Sequence, residues 1–185
     1  MAVEYSGMSG KITHGDDRVY DACCYYGALI VAALNGEKKE ELTSTTFYDK
    51  HLEWFGYRSL HPDVMTIAQG SYQKARGYQD GIRGKGYIIN AMEAALWAFW
   101  SDEDSFEKGA LNAVNLGDDT DTTAAIYGQL AGAYYGYKKL PKRCLSGGMR
   151  DDLVPPTKAS DTYPVKPPTK STINIALTSD RVNLP

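Results

Sequence analysis

Asn115-Leu116-Gly117-Asp118-Asp119-Thr120-Asp121-Thr122-Thr123-Ala124-Ala125-Ile126, continuing to Gly136, is the stretch whose reading decides the fold. Three carboxylates and three hydroxyls crowd the start of a predicted buried helix. A helix start carries unpaired N–H groups and the positive end of the dipole, so one Asp there is an ordinary cap. Asp118, Asp119 and Asp121 together repel one another and invite a cation. Mg²⁺, Mn²⁺ and Ca²⁺ take hard oxygen ligands, which Asp and Thr supply. An EF-hand is excluded. Counting from Asp119, position 6 is Ala124 instead of Gly, and position 12 is Leu130 instead of Glu.

The helix that follows carries Ala124, Gly128, Gly132 and Gly136 at i, i+4 spacing, with Ile126, Leu130 and Tyr134 as a second, bulky stripe. Each Gly costs a helix about 1 kcal/mol relative to Ala, so close packing has to compensate. The pattern predicts a helix surrounded by protein.

The run Gly117-Asp118-Asp119-Thr120-Asp121-Thr122 through Gly132-Ala133-Tyr134-Tyr135-Gly136 resembles the C-terminal metal motif of the ADP-ribosylglycohydrolase family. That motif reads Gly-Gly-Asp-Thr-Asp-Thr and leads into a small-residue helix ending Gly-Ala-Tyr-Tyr-Gly. The resemblance implies an all-α orthogonal helical bundle, here incomplete and followed by an irregular C-terminal tail. It implies Asp119, Asp121 and Thr122 as ligands of Mg²⁺ or Mn²⁺, two ions in the complete family site. Asp118 departs from the family Gly, adds a charge beside the site, and is a further candidate ligand. The similarity runs from about Ile12 to about Cys144 and matches the C-terminal half of a family member. The family's N-terminal Thr-Asp-Asp motif has no counterpart, and Asp16-Asp17 is not assigned as its replacement.

Outward from that motif, composition sets the class. The chain has 185 residues, 43% of them hydrophobic, enough for one domain with its own core. Net charge is -3 with no basic block, which argues against nucleic acid as a partner. No apolar run reaches the length of a membrane span, and the N-terminus lacks a signal-peptide core. A cytoplasmic protein is expected. Cys23, Cys24 and Cys144 make neither a disulfide framework nor a zinc spacing, and read as reduced, partly buried thiols.

The chain divides into residues 1–11, a loose lead-in; 12–150, the helical domain; and 151–185, a Pro/Thr-rich tail. Asp16 or Asp17 caps a helix over Arg18–Asn35, stopped by Gly36. Glu37–Phe47 predicts a short helix with Lys38, Lys39, Glu40 and Glu41 on solvent. The aromatic-rich stretch from Tyr48 to Pro62 predicts a satellite cluster packed under a loop. Val64–Gln73 predicts a short helix, and the glycines up to Gly86 predict a loop with many turns. Ile88–Trp100 has strong helical spacing. Asp104-Ser105-Phe106-Glu107 resembles a capping box with Asp104 as the cap, opening a helix that Gly117 ends. Pro141 begins a short last helix to about Leu145. Six of the eight prolines lie beyond Val154, where no packed core is predicted.

Two further segments resemble the family. Thr13-His14-Gly15-Asp16 is similar to its Thr-His-x-Asp loop, so His14 lies near the ligand by resemblance; as a lone loop residue it reads as a surface or capping His. Gly86-Tyr87 is similar to a Gly-Tyr step beside bound ADP-ribose, where Tyr87 would stack on the adenine or line the ribose; read alone, Tyr87 is a core residue at a helix start. Gly84-Lys85-Gly86 lacks the spacing of a phosphate loop. The resemblance implies a Mg-dependent hydrolase that removes ADP-ribose from modified proteins or related acceptors at an N- or O-glycosidic bond. The alternative is a non-catalytic ADP-ribose-binding or structural, crystallin-like remnant. The implied partners are ADP-ribose or an ADP-ribosylated protein, with self-association or a missing N-terminal half completing the site. A third reading takes the Asp cluster as a cap of a helical interaction domain.

Overall fold

A computed structural model describes residues 1–142. Its helices are α1 (Ala2–Thr13), α2 (Asp17–Leu34), α3 (Lys39–Leu42), α4 (Phe47–Lys50), α5 (Pro62–Ala68), α6 (Ile88–Trp100), α7 (Phe106–Asn115) and α8 (Thr120–Tyr135). Three 3₁₀ turns, Leu52–Phe55, Gly77–Asp80 and Tyr137–Lys139, complete the described architecture. The expected all-α fold is therefore observed. Among the described residues no helix is long and apolar enough to cross a membrane.

Helix α2 is the axis. Asp16 Oδ1 accepts from the Arg18 N–H at 2.8 Å, and Gly36 stops the chain at φ +86°. Between these signals Ala22, Cys24, Tyr25, Ala28, Leu29 and Ala32 are buried, too many for a single-faced helix. Helices α6 and α8 pack on it, and α7 packs on α8. The Tyr26 hydroxyl donates to the Ile126 carbonyl, tying α2 to α8. Burial pushes the Cys23 and Cys24 thiols up, which keeps them protonated and inert.

The predicted lead-in over residues 1–11 is instead most of α1. Its buried face is Val3 and Gly7, so the side that packs on α2 carries almost no apolar bulk to read. A Cβ on Gly7 would lie 2.4 Å from Cys24 Sγ and 2.6 Å from a Tyr20 ring carbon. A Cβ on Gly27 of α2 would lie 2.3 Å from Ser6 Oγ. Glycines on both helices thus let two backbones approach. Gly7→Val is expected to push α1 off α2 at a cost of about 1–3 kcal/mol. Faster proteolytic cleavage within α1 than in wild type would show it.

Other expectations shift. The Glu37–Phe47 helix is shorter, with Phe47 starting α4. Lys39 is buried, not solvated; its Nζ pairs with the Asp102 carboxylate and lies 2.9 Å from the Tyr135 hydroxyl. Phe47, Tyr48 and Phe55 are not a satellite but part of the main core with Leu29, Leu42 and Phe99. The cap of α7 is Ser105, whose Oγ accepts from the Lys108 N–H at 3.3 Å, while Asp104 turns the chain at φ +58°. Gly132 has nothing within 4 Å of an added Cβ, so the small-residue stripe of α8 is close-packed over only part of its length. The predicted Pro141–Leu145 helix falls largely, and Cys144 and the 151–185 tail fall wholly, outside the described residues.

Candidate functional site

The turn from α7 into α8 needs two consecutive left-handed residues. Gly117 takes φ +76° and Asp118 takes φ +57°, a region that Asp tolerates better than most side chains. Asp119 is then the N-cap of α8, yet its side chain makes no capping hydrogen bond. Its backbone is held from both sides instead. The Asp119 N–H donates to the Gly84 carbonyl at 2.7 Å. Its carbonyl accepts from the Thr123 N–H at 3.1 Å and from Thr123 Oγ1 at 2.9 Å. Thr123 is fully buried, so the anchor is rigid and the carboxylate is left over for other work.

That carboxylate meets its neighbour. The Asp121 carboxyl is held below the usual carboxylate range, first by a hydrogen bond with the Asp119 carboxyl, then by its own N–H and that of Thr122 at the helix start. Among the described residues no Lys, Arg or His forms an ion pair with Asp118, Asp119 or Asp121. Two adjoining carboxylates with no cationic partner at a helix N-terminus are a donor set that suits a hard divalent ion. Thr122 adds a hydroxyl in the same first turn. The set is small: among the described residues no group of three or more His, Cys, Asp or Glu is placed to hold a metal, so Asp118 does not complete a triad. Asp118, Asp121 and Thr122 are exposed and Asp119 is half-buried, so this helix start lies at the surface instead of in the interior.

The glycine loop before α6 closes over Asp119. A Cβ on Gly84 would lie 2.6 Å from Thr123 Oγ1, and one on Gly86 would lie 3.0 Å from Asp119 Oδ2. Side chains at either position would push the loop away from the carboxylates. Gly84→Ala is expected to destabilise the fold by about 1–3 kcal/mol through this clash, read as a lower melting temperature. Tyr87 follows as the N-cap of α6 and is 43% exposed, which rules out a core role. The Arg18 guanidinium carbon sits 5.6 Å from the centre of its ring. Arg18 in turn forks onto Asp16, Nε to Oδ1 at 3.0 Å and NH2 to Oδ2 at 2.6 Å. That pairing holds the Asp16 carboxyl down at about 2.

Gly86 is thus brought against Asp119, and Tyr87 follows it at the head of α6. His14 is the C-cap of α1, with its Nδ1 2.8 Å from Thr13 Oγ1. Among the described residues no hydrogen bond or ion pair joins it to Asp119 or Asp121. Gly84, Thr123 and Arg18 were not singled out in sequence. Only the Gly-Lys-Gly spacing hinted at the first, and nothing local marks Arg18 as the residue over Tyr87.

Comparison with known proteins bears on this geometry. A family model described as ADP-ribosylglycohydrolase matches residues 1–161, beyond both ends of the Ile12–Cys144 similarity read from motifs. An ADP-ribosylarginine hydrolase Tri1 of Pseudomonas putida (strain GB-1) is 41% identical over 137 residues, 74% of this chain and 33% of that protein. The protein of the same name from Serratia proteamaculans (strain 568) is 36% identical over 149 residues, 80% of this chain and 37% of that protein. A solved structure described as an ADP-ribosylglycohydrolase-related protein complex superposes with a TM-score of 0.65 at 31% identity, covering 95% of this chain and 52% of its own. The chain spans about a third of the length of the curated relatives it matches.

Proposed function

The chain belongs to the ADP-ribosylglycohydrolase family, and from that premise we propose that it carries the divalent-ion and ribose-facing part of a hydrolase site that removes ADP-ribose from a modified protein. The relatives' name makes ADP-ribosylarginine the first substrate to try. The observation that carries this reading is the Asp119–Asp121 pair: two carboxylates, unpaired with any cation among the described residues, under a loop whose Gly86 comes close to Asp119 Oδ2.

In this proposal Asp119, Asp121 and the Thr122 hydroxyl hold Mg²⁺ or Mn²⁺. When bound, the ion supplies a template for ligand oxygens and electrostatic stabilisation of developing charge. The chain's own groups do the rest. The Gly84 carbonyl and Thr123 fix the Asp119 backbone, so its carboxylate needs little reorganisation on binding. Gly86 admits ligand atoms close to that carboxylate, and Tyr87 offers a half-exposed ring as a wall for the sugar or base. Arg18, clamped by Asp16, packs over that ring.

A second reading has its own observation. The donor set stops at two carboxylates and one hydroxyl, which favours a binding protein that holds ADP-ribose without cleaving it. One experiment separates the two. The purified chain is titrated calorimetrically with ADP-ribose, with and without Mg²⁺, and incubated with an ADP-ribosylated arginine peptide. Mg-dependent binding with peptide turnover is the expected result. Binding without turnover selects the second reading, and no binding in either buffer rejects both.

A further inference from the structure

Helix α1 has two faces, and only one is used. Val3, Gly7 and Gly10 turn toward α2. On the opposite side Met1, Tyr5, Met8 and Ile12 are 90%, 62%, 50% and 84% exposed. Their 4-3-4 spacing puts them within an arc of about 60° at 3.6 residues per turn, the seam pattern of a two-helix coiled coil. Four large apolar side chains in one line are not the scattered exposure that any surface shows.

The flanks of this seam differ, and the difference names an occupant. Glu4 and Lys11 border one side; Ala2 and Ser9 border the other. Taking Tyr5 and Ile12 as a positions and Met1 and Met8 as d positions, Glu4 and Lys11 are both g. In an antiparallel pair g faces g, so Glu4 of each copy meets Lys11 of the other, twice by symmetry. Tyr5 then packs on Met8 and Met1 on Ile12, while the small Ala2 and Ser9 side chains face each other and allow close approach. A parallel pair would set both charges against Ala2 and Ser9 and leave them unmatched. The Lys11 Nζ lies 4.4 Å from the centre of the Tyr20 ring, which holds that side chain along the charged flank.

We propose that α1 is a self-association surface, on which a second copy of this chain docks its own α1 antiparallel across the Tyr5-Met8-Ile12 seam. The interface is isologous, as a two-fold dimer requires. None of its seam residues is among those placed around Asp119, so its test does not depend on any ligand bound there.

Sedimentation equilibrium of the full chain over a concentration series tests it. Wild type is expected to pass from monomer to dimer. Met8→Asp should remain monomeric while melting like wild type at concentrations where wild type is itself monomeric, because Met8 is half exposed and not part of the core. Glu4→Lys and Lys11→Glu, each alone, set like charges across both contacts and should weaken association about tenfold. An equimolar mixture of those two variants sets opposite charges across both contacts and should restore wild-type association. A wild type that stays monomeric throughout, a Met8→Asp chain that still dimerises, or a mixture no tighter than its components would each overturn the proposal.

Discussion

Lys39→Met is expected to destabilise the protein by about 3–5 kcal/mol, the cost of leaving a buried charge without its partner. Asp102 is fully buried. Its carboxylate is met by the Lys39 ammonium, by the Tyr135 hydroxyl at 2.9 Å to both oxygens, by the Asp104 N–H at 3.0 Å and, more weakly, by the Tyr127 hydroxyl at 3.4 Å. Burial pushes both phenols far above their ordinary range, so they remain donors at every working pH. The Lys39 ammonium also lies over the Phe99 ring, 4.7 Å from its centre. Removing it would shift the melting temperature by roughly 10 °C or more for a domain of this size. The charge-matched double variant Lys39→Met/Asp102→Asn should lose less than the two single losses added, because no unpaired charge remains.

The defect has a pH signature. Burial pushes the Asp102 carboxyl up, against the pull of Lys39. In Lys39→Met that pull is gone, so the folded-state value stands further above the unfolded one. A carboxyl raised on folding adds stability below the unfolded value and loses it as pH rises through the folded one. The gap between variant and wild type is therefore expected to widen as pH climbs out of the carboxylate range. Thermal melts across that range check it; a gap that narrows instead would mean that Asp102 is not the group left exposed to the loss.

Asp119→Ala is expected to abolish the stabilisation by Mg²⁺ and ADP-ribose while leaving the ligand-free melting curve almost untouched. A ligand at 100 times its dissociation constant adds about 2.7 kcal/mol to the folded state, and all of it should vanish. An ordinary N-cap Asp would cost about 1 kcal/mol when removed. Asp119 makes no side-chain capping bond, so that loss should not appear. Asp121→Ala should likewise erase the ligand shift. A ligand-free loss of a full cap energy with no ligand shift in wild type would return the cluster to a purely structural role.

Much of the architecture was legible in the chain. The cap at Asp16, the stop at Gly36, the Ile88–Trp100 helix and the Gly117 turn into an acidic helix start are each written in a few neighbouring residues. Helix α1 was not, because its buried face is Val3 and glycine, and its large apolar residues lie on the exposed side. The cap of α7 was misplaced by one residue, since Asp104 and Ser105 are both good cap formers and only the backbone turn decides between them.

Periodicity, capping and glycine punctuation act over one or two helical turns, so the sequence by itself determined the all-α class, the bounds of α2 and α6 and the position of the carboxylates at the head of α8. Burial of a charge and the lining of a site depend on partners far apart in the chain. Lys39 finds Asp102 63 residues away. Gly84 meets Asp119, and Arg18 reaches Tyr87, only once α2, α6 and α8 have packed. Those long-range meetings decided which lysine is buried, why the loop needs glycine, and that the acidic turn faces outward; no local pattern encodes them, because each is a property of two segments brought together.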